Sequence, residues 1–217
     1  MTGLSGDRRL GLWSALIAAI LALLYSLAQV CEWLGLLGSQ GGPDAASTPL
    51  GLAILLTPSL LLGPAFVAAM AALRPLCAAD RQGIAAAALA FAAIYATLTG
   101  MVYFVQLTLV GPRLAAGDTA DIALLLFVPY ESFLFAVDLL GYSFMCLAGL
   151  SAAFALPGHE GFRAVRWALL ANGLILPFLA LQMYFPWLIW PAAGWAIVFP
   201  AAMILLARAF LRSEASD

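Results

Sequence analysis

Long apolar runs alternate with short polar clusters along the chain. Six of these runs are long enough to form a transmembrane α-helix, which needs about 20 residues to cross a bilayer core of about 30 Å. Turn-forming residues separate them, as in Gly41-Gly42-Pro43-Asp44 and Pro157-Gly158. The pattern therefore predicts an all-α fold, a polytopic membrane helix bundle that forms one transmembrane domain over residues 1–217. The predicted spans are 10–37, 50–73, 84–110, 130–156, 162–184 and 187–211.

One further apolar stretch, residues 117–129, is too short to cross a bilayer. It carries Asp118 and Asp121 and is closed by Pro129. We expect it to form a short interfacial segment on the outer face of the bundle.

Aromatic residues and prolines mark the last two predicted spans. Tyr184, Trp187, Trp190 and Trp195 crowd the start of the sixth span, a pattern typical of an aromatic belt at the membrane boundary. Pro177, Pro191 and Pro200 predict kinks, which a bundle tolerates because neighbouring helices satisfy the freed carbonyls.

The arginines predict the orientation, because loops that stay in the cytoplasm retain positive charge. The chain has nine basic residues, all of them arginine. With six spans, eight fall on one side: Arg8, Arg9, Arg74, Arg81, Arg163, Arg166, Arg208 and Arg212, leaving only Arg113 on the other. Both the N-terminus and the C-terminus are therefore predicted to be cytoplasmic.

The N-terminus also admits a different interpretation, a cleaved secretory signal. Arg8-Arg9 precedes an apolar run, and Ser26-Leu27-Ala28 offers small residues for cleavage. The apolar run continues to Leu37 and is longer than the apolar region of a signal peptide, so a first transmembrane span is favoured.

Composition excludes several classes of protein. Hydrophobic residues make up 65% of the chain and charged residues only 9%, whereas a soluble domain carries roughly a quarter charged residues. Most of the surface must face lipid, so the lipid bilayer is the first predicted partner. The net charge of −2 and the lack of a basic stretch exclude a nucleic-acid partner. The absence of lysine beside abundant alanine, leucine and arginine indicates a GC-rich bacterial genome, so we expect a bacterial inner (plasma) membrane. The six predicted spans make it a multi-pass protein.

The chain lacks residues that several membrane cofactors and reactions require. Without lysine the chain cannot form a retinal Schiff base, and its one histidine, His159, cannot supply both ligands of a b-type haem. The three cysteines form no CxxC pair, and neither a GxSxG nor an HExxH motif occurs. We therefore predict no cofactor, no metal site and no catalytic residue.

Ionisable side chains within a span are rare, because each costs at least roughly 2.5–3.5 kcal/mol at the bilayer centre. In the fourth predicted span, Glu131, Asp138 and Tyr142 share one helical face, since they are separated by seven and four residues. Asp138 is expected about 10 Å deeper than Glu131 at 1.5 Å per residue. On three other predicted spans, Glu32, Gln106 and Gln182 are expected at a depth similar to that of Glu131. Gln29 shares a helix face with Glu32, and Tyr103 shares one with Gln106.

These eight residues predict a polar cup that opens to the outer face and binds a ligand. With three carboxylates and no facing arginine except Arg113, a neutral or cationic small molecule suits it. The alternative is that such residues only hold helices together through interhelical hydrogen bonds.

Three classes of function follow from this pattern. The leading hypothesis is a small-molecule binding or transport component. The rival is an accessory or scaffold subunit of a larger membrane complex, in which small residues such as those at 85–88 contact a partner subunit or a second copy. The third hypothesis is an intramembrane enzyme that uses the carboxylates, although we expect that the chain is not an enzyme.

Overall fold

The computed structural model describes residues 5–212 and contains six helical units long and apolar enough to cross a membrane. Span 1 is Gly6–Trp33, span 2 Pro49–Ala71, span 3 Ala79–Ala115, span 4 Phe133–Ala155, span 5 Glu160–Ala180 and span 6 Pro186–Arg212. No β-strand occurs within the described range. The predicted all-α class and the number of spans are confirmed, and the ends differ from the prediction by about five residues or fewer.

Span 1 ends four residues before the predicted Leu37 because glycines turn the chain. Gly35 and Gly38 have φ angles of 72° and 88°, in the left-handed region that glycine adopts without steric cost. Thr48 then caps span 2, where its Oγ1 accepts a hydrogen bond from Gly51 N at 3.0 Å. The same hydroxyl donates to Leu37 O at 2.7 Å and thereby ties the connecting loop to the start of span 2.

Spans 3, 5 and 6 are interrupted helices. Span 3 passes through a π-helical turn at Gln106–Val110, and span 5 breaks after Gly173 and resumes at Leu176–Ala180, which contains Pro177. Span 6 begins with the short helices Pro186–Leu188 and Ile189–Ala192, and its long helix is Trp195–Arg212. Two of the three predicted proline kinks therefore correspond to breaks, whereas Pro200 lies inside the long helix.

The stretch 117–129 does not span. It forms a 3-10 helix at Ala120–Leu125, and Ile122 within it packs into the core with 3% of its surface exposed. The segment thus lies against the bundle, as a 3-10 helix.

The six spans form a ring in chain order. Each span packs against the spans before and after it in the sequence, and span 6 closes the ring against span 1. We call the end of the bundle that carries Gly6 and Arg212 the terminal end. The opposite end, with the loops 34–48, 116–132 and 181–185, is the distal end.

Aromatic side chains fill the middle of the ring. Phe66 contacts Tyr95 and Phe199, Tyr95 contacts Tyr142, and Trp195 contacts Tyr142 and Phe199, with ring centroids 5.1–5.9 Å apart. These five rings form a closed circuit of edge-to-face and stacked pairs, the arrangements that aromatic quadrupoles favour. We refer to the five residues as the aromatic plug.

The interpretation of Trp195 as part of a boundary belt is wrong. Only 6% of its surface is exposed, whereas Trp187 and Trp190 are 65% and 63% exposed. Trp195 begins the long helix of span 6 and points into the ring, so it belongs to the core.

Two arginines satisfy backbone carbonyls at the terminal end. Arg81 Nη1 donates to Phe154 O at 3.1 Å, and Arg166 Nε donates to Ala153 O at 3.1 Å. Both carbonyls belong to the last turn of span 4, where the helix leaves carbonyls without partners and carries a partial negative charge. Some of the arginines that predict the orientation therefore also cap a helix.

The predicted orientation can be tested by chemical labelling of the two ends. Thr119 and His159 are exposed at the distal and the terminal end. With Cys31, Cys77 and Cys146 replaced by alanine, we expect Thr119→Cys to react with a membrane-impermeant maleimide in intact cells. His159→Cys should react only after the cells are opened, because its side carries most of the arginines. The reverse pattern would contradict cytoplasmic termini.

Candidate functional site

A cavity of about 300 Å³ lies inside the ring at the distal end. The C-terminal part of span 1, the N-terminal parts of spans 2 and 4 and the first turns of span 6 supply most of its walls. Tyr103 of span 3 and Leu179 of span 5 complete them, and residues of the loops 42–47 and 127–130 reach it from the distal side. Its volume is at the lower end of the range for small-molecule pockets.

The structure brings six of the eight predicted site residues together at this cavity. These are Glu32, Asp138, Tyr142, Tyr103, Gln29 and Gln182. Glu131 and Gln106 do not line it.

Glu131 lies outside the helix on which it was expected. Span 4 begins at Phe133, because Ser132 Oγ accepts a hydrogen bond from Phe135 N at 3.2 Å and so caps the helix. Glu131 therefore precedes the cap and is exposed, and it does not share the face of Asp138 and Tyr142. It directly follows the lining residue Tyr130 in the chain.

Gln106 is fully buried on another side of span 3. Its Nε2 donates to Leu125 O at 2.6 Å and so attaches the 3-10 helix 120–125 to the bundle. The π-helical turn that starts at Gln106 shifts the register of the following residues. Gln106 itself faces a separate crevice that is also lined by Pro49 and Leu52 of span 2.

The Glu32 carboxylate lies in the cavity wall beside the first turn of span 2. The residue is 3% exposed, and neither Oε1 nor Oε2 has a hydrogen-bond partner. Gly51 makes room for it, since an added Cβ at that position would lie 2.7 Å from Glu32 Oε2. The amino end of a helix favours a nearby negative charge. The fold thus positions this carboxylate and leaves its acceptor oxygens available.

Asp138 faces the same cavity from span 4. It is 7% exposed, and its Oδ1 has no hydrogen-bond partner. The Tyr103 hydroxyl lies beside this carboxyl and donates to the Tyr142 hydroxyl at 3.2 Å. A buried carboxyl in such surroundings needs either a proton or a cationic partner. Asp138 can therefore bind a ligand that supplies a proton or a positive charge.

The two glutamines that line the cavity differ in whether their side-chain amides have hydrogen-bond partners. Gln29 Oε1 accepts a hydrogen bond from the Tyr25 hydroxyl at 3.1 Å. Gln182 is 1% exposed, and its Nε2 has no partner. The cavity therefore offers at least one unused donor besides its unused acceptors.

Tyr130 forms part of the rim in a conformation that side chains rarely adopt. Its φ is 63°, in the left-handed region, and its ring contacts Phe135 at a centroid distance of 5.2 Å. Such backbone strain persists only where surrounding contacts enforce it. Burial, together with the nearby Asp44 carboxylate, raises the pKa of the Tyr130 phenol to about 12, so the rim tyrosine is neutral at physiological pH.

Two aromatic residues of the site, Tyr25 and Trp195, were not among the predicted site residues. Tyr25 and Trp195 both line the cavity, and their rings are 5.8 Å apart in an edge-to-face pair. Tyr25 does lie one helical turn before Gln29, a spacing that predicts a shared face. No local signal distinguishes Trp195 from the exposed Trp187 and Trp190.

The arrangement does not resemble a metal centre. Within residues 5–212, no three histidine, cysteine, aspartate or glutamate side chains come together in a way that could hold a metal ion. The cavity instead combines two carboxylates with tyrosine hydroxyls, amides and apolar walls. Such a set of groups binds and orients a ligand through hydrogen bonds and charge.

Comparison with protein-family models, with curated proteins and with solved structures finds no match to this chain.

Proposed function

We propose that this protein is an integral membrane protein whose distal cavity faces the outside and binds a small neutral or cationic molecule, as a receptor or transport component. The observation that carries the proposal is the convergence of unsatisfied polar atoms on one cavity. Glu32, Asp138 and Gln182 are each at least nine-tenths buried, and each has a side-chain atom without a hydrogen-bond partner. Buried polar groups are normally satisfied. Four of the seven buried side-chain atoms without a partner among the described residues belong to these three lining residues, and one ligand in the cavity would satisfy them together.

The composition of the walls supports a ligand with apolar parts. Leu52, Leu55, Leu56, Leu139 and Trp195 line the cavity beside the polar groups. Ligand pockets are typically mostly apolar, with a few polar groups that set orientation and specificity. A molecule with one polar end and a hydrocarbon portion fits this pattern.

The floor of the cavity favours a binding site over an open pore. Tyr142 and Trp195 belong to both the cavity wall and the aromatic plug, and Phe66, Tyr95 and Phe199 lie behind them with 1% exposure or less. A ligand therefore enters and leaves from the distal side in this conformation. Transport would require the spans to rearrange around the plug.

Native mass spectrometry of the protein in a mild detergent tests the proposal. We expect a discrete small-molecule adduct on a lone chain, and we expect Asp138→Asn to lose it, because the amide cannot supply the same charge or protonation. Asp121→Asn is the matched control, since Asp121 is exposed and does not line the cavity.

Two results would contradict the proposal. An adduct that survives in Asp138→Asn would remove this carboxyl from the site. A stoichiometric protein partner without any small molecule would favour the accessory-subunit hypothesis instead.

A further inference from the structure

The acidic side chains in the cavity wall have no basic side chain beside them in the part of the chain that the structure describes. Among the described residues that line it, Glu32 and Asp138 are the acids, and none is an arginine or a histidine. The chain has no lysine. Arg113, the one arginine predicted at this end, forms an ion pair with Asp118 at 2.8 Å, and neither residue lines the cavity. No side chain of the wall can neutralise the two carboxyls.

The unsatisfied oxygens point to a ligand that donates hydrogen bonds. Both carboxylate oxygens of Glu32 and Oδ1 of Asp138 lack partners. An anion or a pure acceptor would leave them unsatisfied and would add repulsion. A protonated amine supplies up to three donors and a positive charge in one group.

The aromatic walls favour the same kind of ligand. The rings of Tyr25 and Tyr142 stand nearly perpendicular to that of Trp195, at interplanar angles of 80° and 89°. The Trp195 indole is held in place, because its Nε1 donates to Met145 Sδ at 3.2 Å. Aromatic faces around a site attract cations, and tryptophan and tyrosine do so most strongly.

The mouth of the cavity adds further negative charge. Asp44 lies between the lining residues Pro43 and Ala45, and Glu131 follows the lining residue Tyr130. Both acids are exposed. Charges of one sign around an opening raise the local concentration of ligands with the opposite sign.

We propose that the cavity selects small organic ammonium ions, whose charged nitrogen is held by the Glu32 and Asp138 carboxylates against the rings of Tyr25, Tyr142 and Trp195. This inference rests on the proposed function and names the class of ligand. An inorganic cation is less suited to the site, because most of the wall is apolar and cannot replace lost water ligands. The hydrocarbon part of an organic cation packs against the leucines of span 2.

The experiment compares three probes of similar shape and different charge. Benzylammonium, benzyl alcohol and benzoate are each titrated against the purified full-length protein at neutral pH, and dissociation constants are measured by calorimetry. We expect benzylammonium to bind most tightly and benzoate not to bind. In Glu32→Gln and in Asp138→Asn, the affinity for benzylammonium should fall by about tenfold or more, because one charged partner is lost. Asp121→Asn should leave it unchanged.

A second variant covers the case in which Glu32→Gln does not fold. Gly51→Ala retains the Glu32 charge but displaces its carboxylate, since the new methyl group would lie 2.7 Å from Oε2. The far end of a glutamate moves at low cost, so the fold should persist while benzylammonium binding weakens. Gly100→Ala is the control, because its added methyl would meet only Leu60 Cδ1 at 4.0 Å.

The outcomes separate the inference from the proposed function. Benzyl alcohol that binds as tightly as benzylammonium, or benzylammonium affinity that is unchanged in both carboxylate variants, would overturn the ammonium inference and leave a small-molecule site. If none of the three probes binds but the native mass spectrum shows an adduct, the ammonium inference is overturned and the small-molecule site remains. Failure of all three with no adduct would overturn both.

Discussion

Replacing Trp195 with alanine is expected to lower the free energy of unfolding by about 3–5 kcal/mol, the usual cost of removing a large buried aromatic side chain. Trp195 contacts Tyr25, Tyr142 and Phe199, and its indole nitrogen donates to Met145 Sδ. Its removal would open the aromatic plug and enlarge the cavity of about 300 Å³. The lost contacts cannot be replaced by simple burial in lipid, since packing and hydrogen bonds hold membrane helices together.

The thermal unfolding midpoint in detergent measures this effect. Trp187→Ala is the control, because Trp187 is 65% exposed and lies outside the plug. Trp195→Phe should be intermediate, since it retains a ring but loses the hydrogen bond to Met145. Equal midpoints for Trp195→Ala and Trp187→Ala would show that the plug does not stabilise the ring of spans.

The second large effect is expected at the crossing of spans 3 and 4. Gly141→Ala should destabilise the protein by about 1–3 kcal/mol, the range for an extra methyl group in a packed core. The new Cβ would lie 2.6 Å from Thr99 Cγ2. The Thr99 side chain cannot rotate freely, because its hydroxyl donates to Tyr95 O at 3.0 Å.

A double-mutant cycle isolates this contact. Thr99→Ser removes the obstructing methyl group and keeps the hydroxyl, so Gly141→Ala should cost much less in the Thr99→Ser background than in the wild type. Gly100→Ala, one residue from Thr99 in the same span, should have little effect on the unfolding midpoint. Additive effects in the cycle would mean that the two residues do not limit the approach of the spans.

The same crossing is relevant to the ligand site. Tyr103 lies four residues after Thr99, and Tyr142 directly follows Gly141. The close approach at Gly141 therefore sets the distance over which the Tyr103 hydroxyl donates to Tyr142, now 3.2 Å. Gly141→Ala should weaken ligand binding as well as stability, and Thr99→Ser should restore both.

The candidate site was partly predictable because of the cost of polar groups in lipid. Glu32, Asp138 and Gln182 stand out as polar residues within apolar runs, which made them candidates for a shared site. The sequence also predicted Glu131 and Gln106 at the cavity, whereas neither lines it. The Ser132 cap starts the helix of span 4 after Glu131, and Gln106 faces another side of span 3, where it donates to Leu125 O.

The sequence by itself determined the number of spans and their approximate ends, because the length of an apolar run and the turn residues around it are local properties. Only the tertiary structure decided the ring order, the inward orientation of Trp195 and the aromatic plug. The physical reason is that the spans are apolar on nearly all sides. In lipid, hydrophobicity does not distinguish the face that packs against a neighbour from the face that contacts acyl chains, and close packing of specific side chains makes that choice.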